Sequence, residues 1–394
     1  MSQLLNERWS ETKEALLEGL SGTRKSSMAV CLENTRRHLA ESATAGATSA
    51  GNIATLNRVI LPVIRRVMPT VIANEIIGVQ PMTGPVAQIH TLRVRYADGV
   101  ASGDTVTAGE EALSPFKIAQ AYSGNNASNG GANTTAALEG TPGKRMSIQI
   151  LKSPVEAKSR KLSARWTFEA AQDAQAQQGI DIEAEIMAAL AQEITAEIDQ
   201  EVLASLSTLA GTATETYNQA AVSGTATFVG DEHAALAVQI NRVANLIAQR
   251  TRRGAGNWAV ISPLALTILQ SATTSAFART TEGTFEAPTN TKFVGTLNNA
   301  MKVYVNTYAT ESAGYDNVLI GYKGSSEADA AAFYCPYVPL MSSGVVLDPS
   351  TFEPVVSFMT RYGYVELTNT ASSLGNAADY LGKVRITAAN VKFS

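Results

Sequence analysis

Catalysis or metal binding in a chain of this size has to begin from histidines, thiols and carboxylates at working spacings. Three histidines, His38, His90 and His233, stand in unrelated segments, and the two cysteines, Cys31 and Cys335, lie far apart. None has a second His or Cys at the separation a zinc site uses, and neither an HExxH nor a paired CxxC occurs. Two distant cysteines also argue against a disulfide framework. In ALEGTPGKR the position five residues before Gly143 is Leu138, so the glycine that a phosphate-cradling loop needs is missing. RRGAGNW, with Gly254 and Gly256, opens no helix and reads as a helix stop and turn. No GxSxG nucleophile elbow is present. The carboxylate pairs Glu183 with Glu185 and Glu193 with Glu197 fall on a helix face, where solvation is the simpler reading. The chemistry-bearing residues therefore predict no enzyme, no metal and no cofactor.

The elements that would carry such residues point elsewhere. The chain has 394 residues, enough for two or three domains and a sizeable core. Apolar content is ordinary at 45%, but charged residues make up only 17%, well below the usual quarter, with a net charge of -4. A free subunit normally covers itself with charge, so a sparsely charged surface is consistent with cover from neighbours. The negative total excludes a general nucleic-acid binder. The first residues carry charges throughout, without the apolar core of a secretory signal. No apolar run approaches the roughly 20 residues that span a bilayer. This predicts a protein of the reducing cytoplasm with no membrane partner.

Along the chain, residues 1–41 read as one or two charged amphipathic helices with a ragged stripe of Leu4, Leu5, Trp9, Leu16, Leu17 and Leu20. SATAGATSAGN, residues 42–52, is linker in composition. Residues 53–77 are strongly apolar and broken by Pro62 and Pro69, which leaves short helical pieces or an arm. GVQPMTGP, residues 78–85, holds two prolines and two glycines, and reads as a stiff connector through Pro81 and Pro85. A strand over 88–96 and a return strand over 146–166 flank a Gly/Asn-rich tip, predicting a long projecting hairpin. Arg93, Arg95, Lys152, Lys158, Arg160 and Lys161 give it a positive character. Ile182, Ile186, Leu190, Ile194, Ile198, Val202 and Leu206 recur every four residues, so their stripe drifts about 40° per step round one long helix. A second helix is expected over 231–253, closed by Arg250, Arg252, Arg253 and Gly254. NWAVISP and NVLIGYKG read as buried strands. AAAFYCPYVPL reads as a strand that Pro336 and Pro339 confine to an edge or bend, and FEPVVSFMTRYGYVEL and VRITAANVKF read as the last two strands. Helices and strands do not alternate in βαβ order, which predicts the α+β class.

Long ordered stretches then narrow the reading. IRRVMPTVIANEIIGVQPMTGPVAQIHTLRVRY, ARWTFEAAQDAQAQQGIDIEAEI, RRGAGNW, VLIGYKGSSEADAAAFYCPYVPL and FMTRYGY follow one another as in the major capsid proteins of T-even-type tailed bacteriophages, and the chain resembles that family over most of Asn52 to Tyr364, weakly in residues 1–41 and not across the Gly/Asn-rich tip. The resemblance implies the tailed-phage major capsid fold, shared with encapsulins. Its parts would be a charged leader (1–41), an N-arm with linker (42–87), an extended loop (88–165), a peripheral domain with a long spine helix (166–255 and 346–394) and an axial domain (256–345). It implies hexamers and pentamers forming an icosahedral or prolate shell around DNA held without sequence specificity, in a virion assembled in the bacterial host cytoplasm. Scaffold, portal and maturation protease are the further partners it implies, with cleavage after Leu39-Ala40-Glu41, before Ser42. It also makes the extended loop, with the six basic residues named above, an inter-subunit contact. The chain departs from the family in residues 99–145, which are too short and polar for the inserted domain that T-even-type subunits carry. A pentameric vertex paralogue and an encapsulin-like shell are alternatives within the fold; an enzyme is the alternative outside it.

Overall fold

A computed structural model of the protein describes residues 9, 13–14, 16–17, 20, 22, 25–34, 71–99, 107–109, 112, 122–123, 132, 134–140, 143–178, 181–218, 229–251, 253–272, 277–279, 292–298, 300–309, 316–325, 329–351, 353–367 and 377–388. Helix and sheet are mixed and antiparallel pairings predominate among the described strands, so the chain is α+β as expected. It divides into two compact units. One takes residues 1–87, 154–204 and 333–365, and the other residues 88–153, 205–332 and 366–394.

The first unit is built on a five-stranded sheet. Its centre is the 13-residue strand β13 (Pro354–Glu366), whose inward positions Val356, Phe358 and Thr360 are all within 1% of complete burial. One edge of β13 pairs with β4 (Lys158–Arg165), antiparallel from Val355 opposite Arg165 to Tyr362 opposite Lys158. On the sheet path β11 (Ala332–Ser342) lies between β13 and the two-residue strand β1 (Gly78–Val79). The connector GVQPMTGP supplies β1: Gly78 and Val79 run parallel to Phe333 and Tyr334, then Gln80 N donates to Tyr334 O at 3.0 Å and Met82 N to Pro336 O at 3.0 Å. Pro336 has no N–H to offer and contributes only its carbonyl there, which is why a proline is tolerated beside a partner strand. Pro336 thus sits where a short connector, rather than open solvent, completes the edge.

The long helix of the first unit, α4 (Ile182–Leu209), follows the drifting stripe. Its early members Ile182 and Ile186 are half-buried. Ile194, Ile198 and Val202 are 1% exposed, so the stripe sinks inward as the helix proceeds. Before it come α1 (residues 25–34), α2 (Ala73–Ile76) and α3 (Phe168–Gln178). Predicted short helices over residues 53–70 lie outside the described residues.

The second unit is a seven-stranded mixed sheet in the order β5-β14-β10-β6-β9-β8-β7. Its strands are β5 (Glu215–Asn218), β6 (Trp258–Ile261), β7 (Phe277–Arg279), β8 (Lys292–Leu297), β9 (Met301–Val305), β10 (Asp316–Gly321) and β14 (Leu381–Ala388). Two helices, α5 (Val229–Thr251) and α6 (Pro263–Ser271), share one core with it. Leu236, Ile240, Val243 and Ile247 of α5 meet Val318, Ile320, Val384 and Ile386 of the sheet. Ser262 caps α6, its Oγ accepting from Ala265 N at 3.1 Å, with proline at the first helical position.

RRGAGNW is explained by packing. A Cβ on Gly254 would stand 2.5 Å from the Tyr322 ring, and one on Gly256 2.9 Å from Ile320 Cγ2. Asn257 clamps the neighbouring turn, donating from Nδ2 to Lys323 O at 2.6 Å and accepting from Lys323 N at 3.0 Å. The helix-stop reading is thereby refined: both glycines are required by close approach. Gly321 is the tightest case, since a Cβ there would fall within the buried Trp258 indole. Gly321→Ala is expected to cost about 1–3 kcal/mol through overpacking, measured as a lowered urea midpoint at unchanged slope.

Candidate assembly surfaces

Among the described residues, strands β2 (Val86–Tyr96) and β3 (Met146–Glu156) pair only with each other, as a two-stranded ribbon. Period-2 alternation puts Met146, Ile148 and Ile150 on one face of β3, and that face is bare: 53%, 68% and 62% exposed. Val86, at the start of β2, is 58% exposed. A row of bare aliphatics on one ribbon is not how a free subunit is finished, and such patches mark contact surfaces. A second bare patch is the β12 hairpin (β12, Val346–Leu347), where Val345, Val346 and Leu347 are 41%, 55% and 44% exposed.

The tip end of the ribbon is closed by polar contacts. Asp98 accepts from the Arg145 backbone at 2.8 Å and pairs with its guanidinium at 3.1 Å. These hydrogen bonds hold the Asp98 carboxyl below its ordinary pKa. Lys144 donates to Gly99 O at 2.6 Å. Tyr122 folds against Tyr96, ring centres 4.5 Å apart, with Ala112 beside them. The segment that composition marked as coreless thus has a small aromatic cluster among its described residues. At the other end Val155 is 2% exposed and lies beside Gly363 and Met82, and Ala157 N donates to Pro85 O at 2.9 Å.

The basic residues read as one stripe are divided. Arg95 on β2 is half-buried, and its Nε has no acceptor among the described residues. Arg93 lies on β2, with its side chain outside the described residues. Lys152 is exposed on β3. Lys158, Arg160 and Lys161 are not on the ribbon. The limb read as a single return strand ends at Glu156, and β4 then joins the sheet of the first unit. Arg160 there is neutralised: Nη1 reaches Glu197 at 2.7 Å, Nη2 reaches Glu201 at 2.5 Å, and Nε donates to Tyr362 Oη at 2.6 Å. Tyr362 in turn donates to Glu201. Partial burial raises the Glu201 pKa, but the hydrogen bonds from Tyr362 and Arg160 outweigh it and hold it below the ordinary value. Glu197, read as solvated from the sequence, is an anchor of α4 on the sheet. Pro81 is half-buried and Pro85 exposed in the connector. Leu39, Ala40, Glu41 and Ser42 lie outside the described residues.

Asp199, which the sequence reading passed over, is the most perturbed carboxyl among the described residues. It is 1% exposed, its Oδ1 accepts from Ile72 N at 2.9 Å, and its Oδ2 has no partner among the described residues. Burial pushes its pKa up to about 7, against the smaller opposing effect of the Ile72 amide. His233 is buried against Ser271, and burial lowers its pKa. No group of three His, Cys, Asp or Glu able to hold a metal occurs among the described residues. No described helix is long and apolar enough to cross a membrane.

A ribbon with a bare apolar face and a connector annealed to a sheet edge are features of a structural subunit. The family comparison decides the matter: the model for "Major capsid protein Gp23" matches residues 53–386. The chain belongs to the Gp23 major capsid protein family. The major capsid protein of Vibrio phage KVP40 is 30% identical over 426 residues, covering 84% of this chain and 80% of the relative. That of Enterobacteria phage T4 is 29% identical over 407 residues, covering 81% and 76%. Among solved structures, the capsid of Myoviridae phage XM1 aligns over 79% of this chain and 90% of its own, at 13% identity and a TM-score of 0.43. As a Gp23-family capsid protein, this chain has a structural role in a phage capsid and assembles into its shell.

Proposed function

We propose that this capsid protein assembles into hexamers and pentamers that form the icosahedral or prolate shell around phage double-stranded DNA, in the bacterial host cytoplasm. The observation that carries this reading is the β2–β3 ribbon. It is a two-stranded element with a bare aliphatic face, which a shell covers by laying the ribbon on a neighbouring subunit. In this reading the leader is residues 1–41, the arm 42–87 and the extended loop 88–156; the peripheral domain is built round α4 and the β13 sheet, and the axial domain round α5 and the seven-stranded sheet. The strand over 158–165, which the resemblance placed in the loop, belongs to the body because it pairs with β13. The connector fixes where arm and loop depart: β1 and the two hydrogen bonds after it lock residues 78–82 to β11, and Pro85 O holds Ala157. The protein has no catalytic step. Its interactions with DNA are non-specific, as suits a net charge of -4. Scaffold, portal and a maturation protease complete the partners, with cleavage between Glu41 and Ser42.

Electron microscopy of the chain co-produced with its phage's scaffold tests the proposal. Closed shells or tubes built from six-membered rings are expected. A monodisperse small oligomer under conditions where the scaffold itself assembles would refute it.

A further inference from the structure

The leader is not a loose charged tail. Helix α1, residues 25–34, buries Ser27, Met28, Cys31, Leu32 and Asn34 while Lys25 and Ser26 face outward. Met28, Cys31 and Leu32 stand at i, i+3 and i+4 on one stripe, and their exposures are 2%, 0% and 0%. Three main-chain oxygens mark the opposite wall. Cys31 Sγ lies 4.0 Å from Pro336 O, and Asn34 Nδ2 donates to Met82 O at 2.6 Å and to Tyr337 O at 3.1 Å. One amide therefore bridges the connector and β11 just past the point where their pairing ends. Burial pushes the Cys31 thiol up to about 12, so it sits there as a neutral packing group. The outer side of the helix is held separately: Glu33 accepts from Lys13 at 3.5 Å and from Trp9 Nε1 at 3.2 Å. Gly22, at φ +62°, lies between those residues and α1, in the left-handed region that glycine enters freely.

Every residue on the helix side of this contact precedes Leu39-Ala40-Glu41, and every residue of the wall follows it. We propose that the wall formed by Met82, Pro336 and Tyr337 is a helix-binding groove whose occupant is residues 25–34 of the same chain. Cutting the backbone after Glu41 then leaves the leader bound, and its departure is a second, separately controlled step that uncovers the groove. The maturation role of that step rests on the cleavage reading above; the groove rests on the contacts alone. A bound helix with its apolar stripe buried and its one buried amide satisfied twice has no reason to leave when a distant peptide bond is broken.

The test uses the full chain with a sequence-specific protease site replacing residues 38–43. After cutting, gel filtration and mass spectrometry follow the fragment. It is expected to co-elute with the body, and to separate from it in Leu32→Asp, where a charge enters the stripe. Because that variant risks misfolding, Asn34→Ala is the second: it keeps the apolar stripe and is expected to elute partly free. Release of the unsubstituted fragment on cutting, with the body's circular dichroism unchanged, would overturn the proposal. So would equal retention of both variants. An uncut leader in mature particles would instead remove the cleavage reading and leave the nicking result standing.

Discussion

Ile148→Asp combined with Ile150→Asp is expected to abolish particle formation while leaving the subunit folded. Both side chains are more than 60% exposed, so charging them touches no core, and surface changes of this kind move stability by about 0.5 kcal/mol or less. In a shell the same side chains would be covered. Fully burying an Ile is worth about 1.5–3 kcal/mol, so losing two removes about 3–6 kcal/mol per ribbon contact, before the cost of desolvating two carboxylates. That is about 10² to 10⁴ in each association constant, and the loss is repeated at every equivalent contact. Sedimentation of the variant at concentrations where the unsubstituted chain assembles is expected to show free subunits or capsomers. Ile148→Val with Ile150→Val, which keeps the apolar face, is expected to assemble. Normal shell yield from the double aspartate would show that the ribbon face stays in solvent.

Asp199→Asn has the largest expected effect on stability, and its size depends on pH. The carboxyl titrates near 7 in the fold and near 3.9 in the unfolded chain, so between these values the folded state holds the extra proton. Stability from this group is whole below about pH 4 and is lost as the pH rises through about 7. The full span is about 4 kcal/mol, of which about 3 kcal/mol falls between pH 5 and pH 8. Asparagine keeps an oxygen for the Ile72 amide and never ionises. The stability gap between variant and parent should therefore widen by about 3 kcal/mol from pH 5 to pH 8, read from urea midpoints at each pH. Parallel pH profiles would mean that Asp199 gains a partner or that its site admits water.

Elements whose signal is local were legible in the sequence. The four-residue recurrence from Ile182 to Leu206 defines α4, and the run WAVI defines β6 with all four residues buried. The Pro336 puzzle could be posed but not solved, because its answer, the Met82 amide, comes from a connector some 250 residues earlier in the chain. The break after Glu156 left no trace. Alternation continues through Ala157 into β4, and only pairing with β13 shows that the chain has changed sheets. Glu197 and Glu201 looked like ordinary solvated helix positions, since nothing in a helix pattern announces an arginine on a strand. Asp199 was hidden similarly, one residue after Ile198 in the apolar stripe, where the helix turns it inward toward Ile72. The bare face of β3 was visible as MSIQI, an alternation with no second layer to bury it. What the sequence lacked was evidence that no other described strand of the subunit covers it.

The covering of that face by a neighbour is the claim on which the account rests, and Met146 reports on it directly. It stands at the head of the row and is 53% exposed in the subunit. Peroxide converts an accessible methionine to its sulfoxide, which mass spectrometry counts residue by residue. In dissociated subunits Met146 is expected to oxidise far faster than the buried Met28, Met82, Met187 and Met301. In assembled particles its rate is expected to fall to theirs. A Met146 that oxidises equally fast free and assembled would contradict the account.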